Sequence, residues 1–256
     1  MLVKDSVLLR LANILAFGLT ITVNALAGST TLIGGKVTAE ISDANLTLVT
    51  PAGYVFSIWG VIYVLLGTFV VFQALPSQRG KDYHSRIGWL FVLSNLINIA
   101  WIFLWQFEYL IFSVALIFML LATLIAIYLR LDIGKSKVEL RERITIHLPF
   151  STYLGWITIA SIANVATALV SVNWNGLGID PETWASLIII VALLISLIVI
   201  ATRKDVAYGL VIVWAFTGIS AAQTANQSIV TLAQIGAIIV FTASVATIVI
   251  SKLRQK

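Results

Sequence analysis

Eight apolar stretches, each close to the roughly 20 residues a helix needs to cross a bilayer, dominate this chain. They run over about 7–28, 54–75, 87–107, 109–130, 146–171, 184–202, 207–224 and 229–251. A soluble domain of this length carries about a quarter charged residues. Here 11% are charged and 60% hydrophobic, more apolar side chain than a soluble body of this size can hide. A soluble globular enzyme, a disordered chain and a nucleic-acid-binding protein are therefore excluded. A β-barrel is excluded too. Its strands would alternate apolar and polar residues over about ten positions, whereas the run from Ile188 to Ile195 is unbroken. The reading is an all-α integral membrane protein of about eight transmembrane helices.

The joints carry the expected breakers: Gly34, Gly35 and Pro51; Pro76, Ser77 and Gly80; then Asn173 to Pro181. Two joints, Phe107-Glu108-Tyr109 and Gln223 to Ser228, are so short that their helices must be antiparallel neighbours. The basic residues test the span count. With eight spans, only Lys36 of the 16 lysines and arginines falls on the opposite side. Cytoplasmic loops attract that bias, so both termini are expected in the cytoplasm. The net charge of +5 is thereby a topology signal. Lys4, Arg10, an apolar run and Ala25-Leu26-Ala27 have the outline of a cleaved signal peptide. Asn13, Asn24 and the length of the run favour a retained first helix.

No Lys, Arg, Asp or Glu lies near the middle of any span. Ionisable groups inside a bilayer mark proton relays, ion paths and voltage sensors, so an ion-coupled pump or charged channel is not expected. There is no cysteine, and His84 and His147 are the only histidines, so no metal site is expected. A haem axial role for His147 is weaker than an ordinary interfacial place. Neutral polar groups and aromatics remain. Asn13, Thr20 and Asn24 share a stripe of the first span. Trp59 and Tyr63 are an i,i+4 pair on the second. Asn98, Trp101 and Trp105 share a face of the third, and Tyr153, Trp156, Ala160 and Asn164 a face of the fifth. Amides in lipid need partners, so these faces point inward, as interhelical glue or as the lining of a pocket for a flat conjugated ligand. Trp89, Trp174 and Trp184 read as interfacial anchors. Trp214, deeper in its span, does not.

The stretch from Thr50 to Gly67, with Pro51, Tyr54, Phe56, Trp59 and Tyr63, resembles the second-helix signature of the tryptophan-rich sensory protein family. That family includes the translocator protein, also called the peripheral benzodiazepine receptor. Asn98 three residues before Trp101 is similar to its third-helix motif, and Tyr153, Trp156 and Asn164 to its fifth. Two departures stand out: Ala52 replaces a second proline, and Pro149 is separated from Tyr153. The resemblance ends near residue 172, leaving three further spans, as in an elongated bacterial-type branch.

The resemblance implies a five-helix bundle over 1–172, an added three-helix membrane segment over 173–256, and a lid over 29–53. It implies a pocket formed by Tyr54, Trp59, Tyr63, Asn98, Trp101, Trp105, Tyr153, Trp156 and Asn164. It further implies a membrane-embedded binding or sensory protein for tetrapyrroles (porphyrins) or similar flat hydrophobic ligands, with roles in stress response. No cofactor is required, porphyrin being the ligand. The partners are that ligand, the lipid bilayer of a bacterial inner membrane and, as one arrangement, a homodimer. Alternatives are a small transporter for hydrophobic or zwitterionic solutes, and light-dependent porphyrin degradation. No catalytic residue is assigned.

Overall fold

The computed structural model describes residues 7–253, and among these every regular element is helical. The eight expected spans are all present. They are α1 Val7–Ser29, α2 Ile58–Ala74, α3 Leu90–Gln106, α4 Leu110–Arg130, α5 Leu148–Ser171, α6 Pro181–Arg203, α7 Val206–Ala222 and α8 Gln227–Leu253. Six are long and apolar enough to cross a membrane, with residues 53–57 leading into α2 and 140–147 into α5. The other two, α3 and α7, have 17 residues each. That is about 25 Å of helix, short of a hydrocarbon core of about 30 Å.

The helices alternate in direction, so the loops gather at two ends. One end collects Arg79, Lys81, Arg86, the run from Arg130 to Arg143, and Arg203-Lys204. The other holds residues 30–57 and the joints at 107–109, 172–180 and 223–226. We call these the basic end and the lid end. Lys4, Arg254 and Lys256, which the charge count assigns to the basic side, lie outside the described residues.

Helices α1 to α5 close a ring in the order α1, α3, α4, α5, α2 and back to α1. Buried amides tie it together. Asn13 Nδ2 donates to Gln73 Oε1 at 3.0 Å and Asn24 Nδ2 to Asn98 Oδ1 at 2.8 Å. Helix α5 begins abnormally. Residues Arg143–His147 form a π-helical turn directly before Pro149. A proline lacks the N–H for the normal bond, and its ring crowds the carbonyl four residues back; widening the turn relieves both.

The last three helices pack on the ring through α7, which lies against α5, with α8 and α6 outside it. They are fixed at both ends. At the basic end Asp205 is buried and caps α7, its Oδ1 accepting from Tyr208 N at 3.1 Å. Its Oδ2 accepts from Tyr128 Oη on α4 at 2.8 Å and from Ser151 Oγ on α5 at 2.6 Å. Beside it, Arg203 reaches Asp132 at 2.9 Å and lies over the Tyr128 ring. At the lid end α6 starts on Asp180. Its carboxyl is held below its usual range by bonds from the Thr183 hydroxyl and amide.

Asp205→Ala leaves two buried hydroxyls without an acceptor and uncaps α7. The expected loss is about 3 kcal/mol, seen as a lower melting temperature of the solubilised protein. Asp132→Ala breaks a bridge whose carboxylate is half exposed and is expected to cost about 1 kcal/mol or less in the same measurement.

Candidate functional site

A cavity of about 300 Å³ lies inside the ring, toward the lid end. Helix α2 contributes Trp59 and Tyr63 to its wall, α3 Trp101, Ile102 and Trp105, and α5 Trp156, Ala160, Ala163, Asn164 and Thr167. Phe56 enters from the 3-10 turn Gly53–Ser57 that precedes α2. The lid closes the top with Thr38, Ala39, Ser42, Thr50 and Pro51. No charged residue is among the described lining residues.

Trp59 is the centre of the aromatic wall. Its ring stacks on Tyr63 at 5.6 Å and on Trp101 at 6.4 Å, and meets Tyr153 and Trp156 edge-on, each at 6.1 Å. Two other indoles are locked by their N–H groups. Trp101 Nε1 donates to Asn164 Oδ1 at 2.7 Å, and Asn164 Nδ2 donates to Ser113 Oγ at 2.8 Å, so α3, α4 and α5 share one junction. Trp105 Nε1 donates to the lid carbonyl of Thr38 at 3.3 Å.

Two donors are left over. Trp156 Nε1 and the Tyr63 hydroxyl are buried and have no hydrogen-bond partner among the described residues. A buried unpaired donor costs about 1–3 kcal/mol. Neither atom exposes surface to the cavity, so a ligand oxygen meets them, and recovers that cost, only when a wall side chain shifts.

Six of the nine residues singled out from the sequence line this wall: Trp59, Tyr63, Trp101, Trp105, Trp156 and Asn164. Three stand elsewhere. Asn98 is fully buried behind the wall, donating to Tyr153 Oη at 3.3 Å and accepting from Asn24. Tyr153, equally buried, touches the site only through the Trp59 ring. Tyr54 is half exposed and packs edge-on against Trp214 at 5.4 Å. It lies in the 3-10 turn Gly53–Ser57, ahead of the helix that carries Trp59 and Tyr63. Neither histidine is on the wall. His84 meets the Gln78 carbonyl at 2.9 Å, and no metal-binding cluster occurs among the described residues.

The lid over 29–53 contains a helix, Thr38–Ala44, started by Glu40 reaching back to Val37 N at 2.9 Å. Its first half hangs on Gln106, the last residue of α3. The Gln106 Nε2 group shares its hydrogens among the carbonyls of Lys36 at 2.8 Å, Ile33 at 3.2 Å and Ala27 at 3.3 Å. Its Oε1 accepts from Thr38 Oγ1 at 3.1 Å. Gly34 lies so close that a β-carbon there would sit 2.1 Å from the Gln106 carbonyl oxygen, and its φ of +72° suits glycine alone.

A family model described as TSPO-like protein matches residues 10–246. The chain belongs to this family. The match extends well past the five-helix bundle and into α8, so the family pattern includes the C-terminal helices. The chain matches no curated protein and no solved structure. It is thus a TSPO-type integral membrane protein in which aromatic rings and neutral amides line the cavity.

Gln106→Leu strands several lid carbonyls, and the expected result is about tenfold faster amide exchange over residues 27–38. Lys36→Ala removes a 2.6 Å bridge to Glu108 in which both side chains are nearly half exposed. It is expected to leave that exchange nearly unchanged.

Proposed function

We propose that this protein binds tetrapyrroles or similarly flat, conjugated, hydrophobic molecules carrying an acceptor oxygen, and acts as a membrane-embedded sensor or carrier for them. The supporting observation is the stacked aromatic wall around Trp59, with neutral polar side chains beside it and no charged residue among the described lining residues; two unfilled donors, Trp156 Nε1 and Tyr63 Oη, lie sealed within that wall. Ring faces reward a planar π-system, and the donors reward a carbonyl or carboxylate at its edge. Family membership supports a TSPO-type role.

Size bears on the mode of binding. About 300 Å³ is at the small end for small-molecule sites, which span roughly 300–1,000 Å³. A tetrapyrrole would seat one edge against Trp59 and Trp156 and displace part of the lid. Coupling between lid position and occupancy is what a sensor requires. A small transporter for hydrophobic or zwitterionic solutes is the less favoured alternative; no ionisable acid or base is among the described lining residues to couple ions to such movement. The homodimer and the bacterial inner membrane are proposals from the family resemblance, and the cytoplasmic termini a proposal from the distribution of lysine and arginine.

Protoporphyrin IX added to the detergent-solubilised protein is expected to quench tryptophan emission saturably at micromolar concentration. Absent or unsaturable quenching in folded protein overturns the proposal. Trp156→Phe keeps a ring and deletes the N–H, and is expected to weaken binding about tenfold. Flux of the same probe across proteoliposomes separates carriage from sensing.

A further inference from the structure

The second half of the lid is held by the C-terminal segment. Gln223, the C-cap residue just after α7, donates through Nε2 to the carbonyls of Thr47 at 3.1 Å and Thr50 at 3.2 Å. One turn earlier the Gly218 carbonyl accepts from Ala52 N at 3.0 Å. A further turn back, Trp214 Nε1 donates to the Val55 carbonyl at 3.0 Å. At Gly218 the contact is close-fitting. A β-carbon there would lie 2.1 Å from Val55 Cγ2 and 3.2 Å from Pro51 Cβ.

These contacts follow residues 47–55 along their length. Thr50, Pro51 and Phe56, which border or belong to that stretch, are cavity wall. Phe56 in turn meets Trp156 edge-on at 5.9 Å. None of Trp214, Gly218 and Gln223 touches the cavity themselves.

We propose that α7 positions the pocket from outside. Gln223, Gly218 and Trp214 hold residues 47–55 as a fixed jamb, and the C-terminal segment thereby sets how readily the cavity opens and how long a ligand stays. The inference builds on the binding function proposed above. It differs from it in assigning control of access to helices that contribute no lining residue.

The chain has no cysteine, which permits a test that needs no ligand. Ala163→Cys places one thiol on the cavity wall, and its labelling by the membrane-permeant N-ethylmaleimide reports opening. Gln223→Glu keeps the side chain's length and replaces its donor with an oxygen facing two carbonyls. It is expected to accelerate labelling about tenfold, and protoporphyrin release by a similar factor. Gly218→Ala is expected to do the same, and Val55→Ala added to it to restore slow labelling, because it removes the colliding methyl.

Ala192→Cys, buried in α6, serves as a second reporter in the same variants. Its labelling is expected to stay slow. If it accelerates in step with position 163, the variants have loosened the whole bundle and the inference fails. Unchanged labelling at 163 in both variants also overturns it. If labelling accelerates as expected while the parent chain shows no saturable protoporphyrin quenching, α7 keeps its positioning role and the ligand assignment falls.

Discussion

An amide in hydrocarbon must find a partner inside the protein, and most of this structure's organisation around its cavity follows from where a few of them find one. Gln73 ties α1 to α2, Asn98 ties α1 and α5 to α3, and Asn164 joins α3, α4 and α5. Gln106 and Gln223 do something different, because each stands at a helix end and takes backbone rather than side-chain acceptors. The helices are α3 and α7, which like α2 have 17 residues but, unlike it, have no helical turn continuous with them to lengthen the span. A helix that stops short leaves unpaired groups below the membrane surface. The lid backbone fills that place, and the terminal glutamine supplies its missing donors.

The spans were legible because a run of about twenty apolar residues has few other uses. Their ends in the structure differ from the hydropathy limits by a few residues, chiefly where short helices at 53–57, 82–87 and 140–147 precede them. The aromatic wall was legible for a similar reason: Trp59 with Tyr63, and Trp101 with Trp105, repeat at helical spacing and recur on the right faces. Periodicity gives a face without giving the depth behind it. Asn98 shares a stripe with Trp101 yet lies behind the wall, because Asn24 and Tyr153 reach it first. Tyr54 sits in a 3-10 turn, where helical spacing does not apply. Gln106 and Gln223 carried no signal, since a glutamine at the end of an apolar run is what any interfacial residue looks like. Only the lid carbonyls around them reveal the difference.

Trp214 was the one tryptophan that neither interfacial anchoring nor the implied pocket accounted for. Its ring meets Tyr54 and its N–H holds the Val55 carbonyl, so the tryptophan without an assigned role partners the tyrosine that stands off the cavity wall. The same contact explains why α7 carries glycine at 218. A larger residue would push Val55 and Pro51 away from the helix, and with them the strand of lid that leads to Phe56.

The C-terminal helices are thus attached by two unlike contacts. At the basic end Asp205 is a carboxylate with three donors and little exposure, the kind of site that does not yield without leaving a charge unsatisfied. At the lid end the ties are neutral hydrogen bonds, and the Gln223 amide is only partly buried. Neutral bonds of that sort contribute about 0.5–1.5 kcal/mol each, which thermal motion and a bound ligand can offset. Between these ends α7 packs closely on α5, where Gly155 leaves no room beside Val211 and Tyr208, so the lid-end bonds are the part of the attachment that can yield while the rest stays packed.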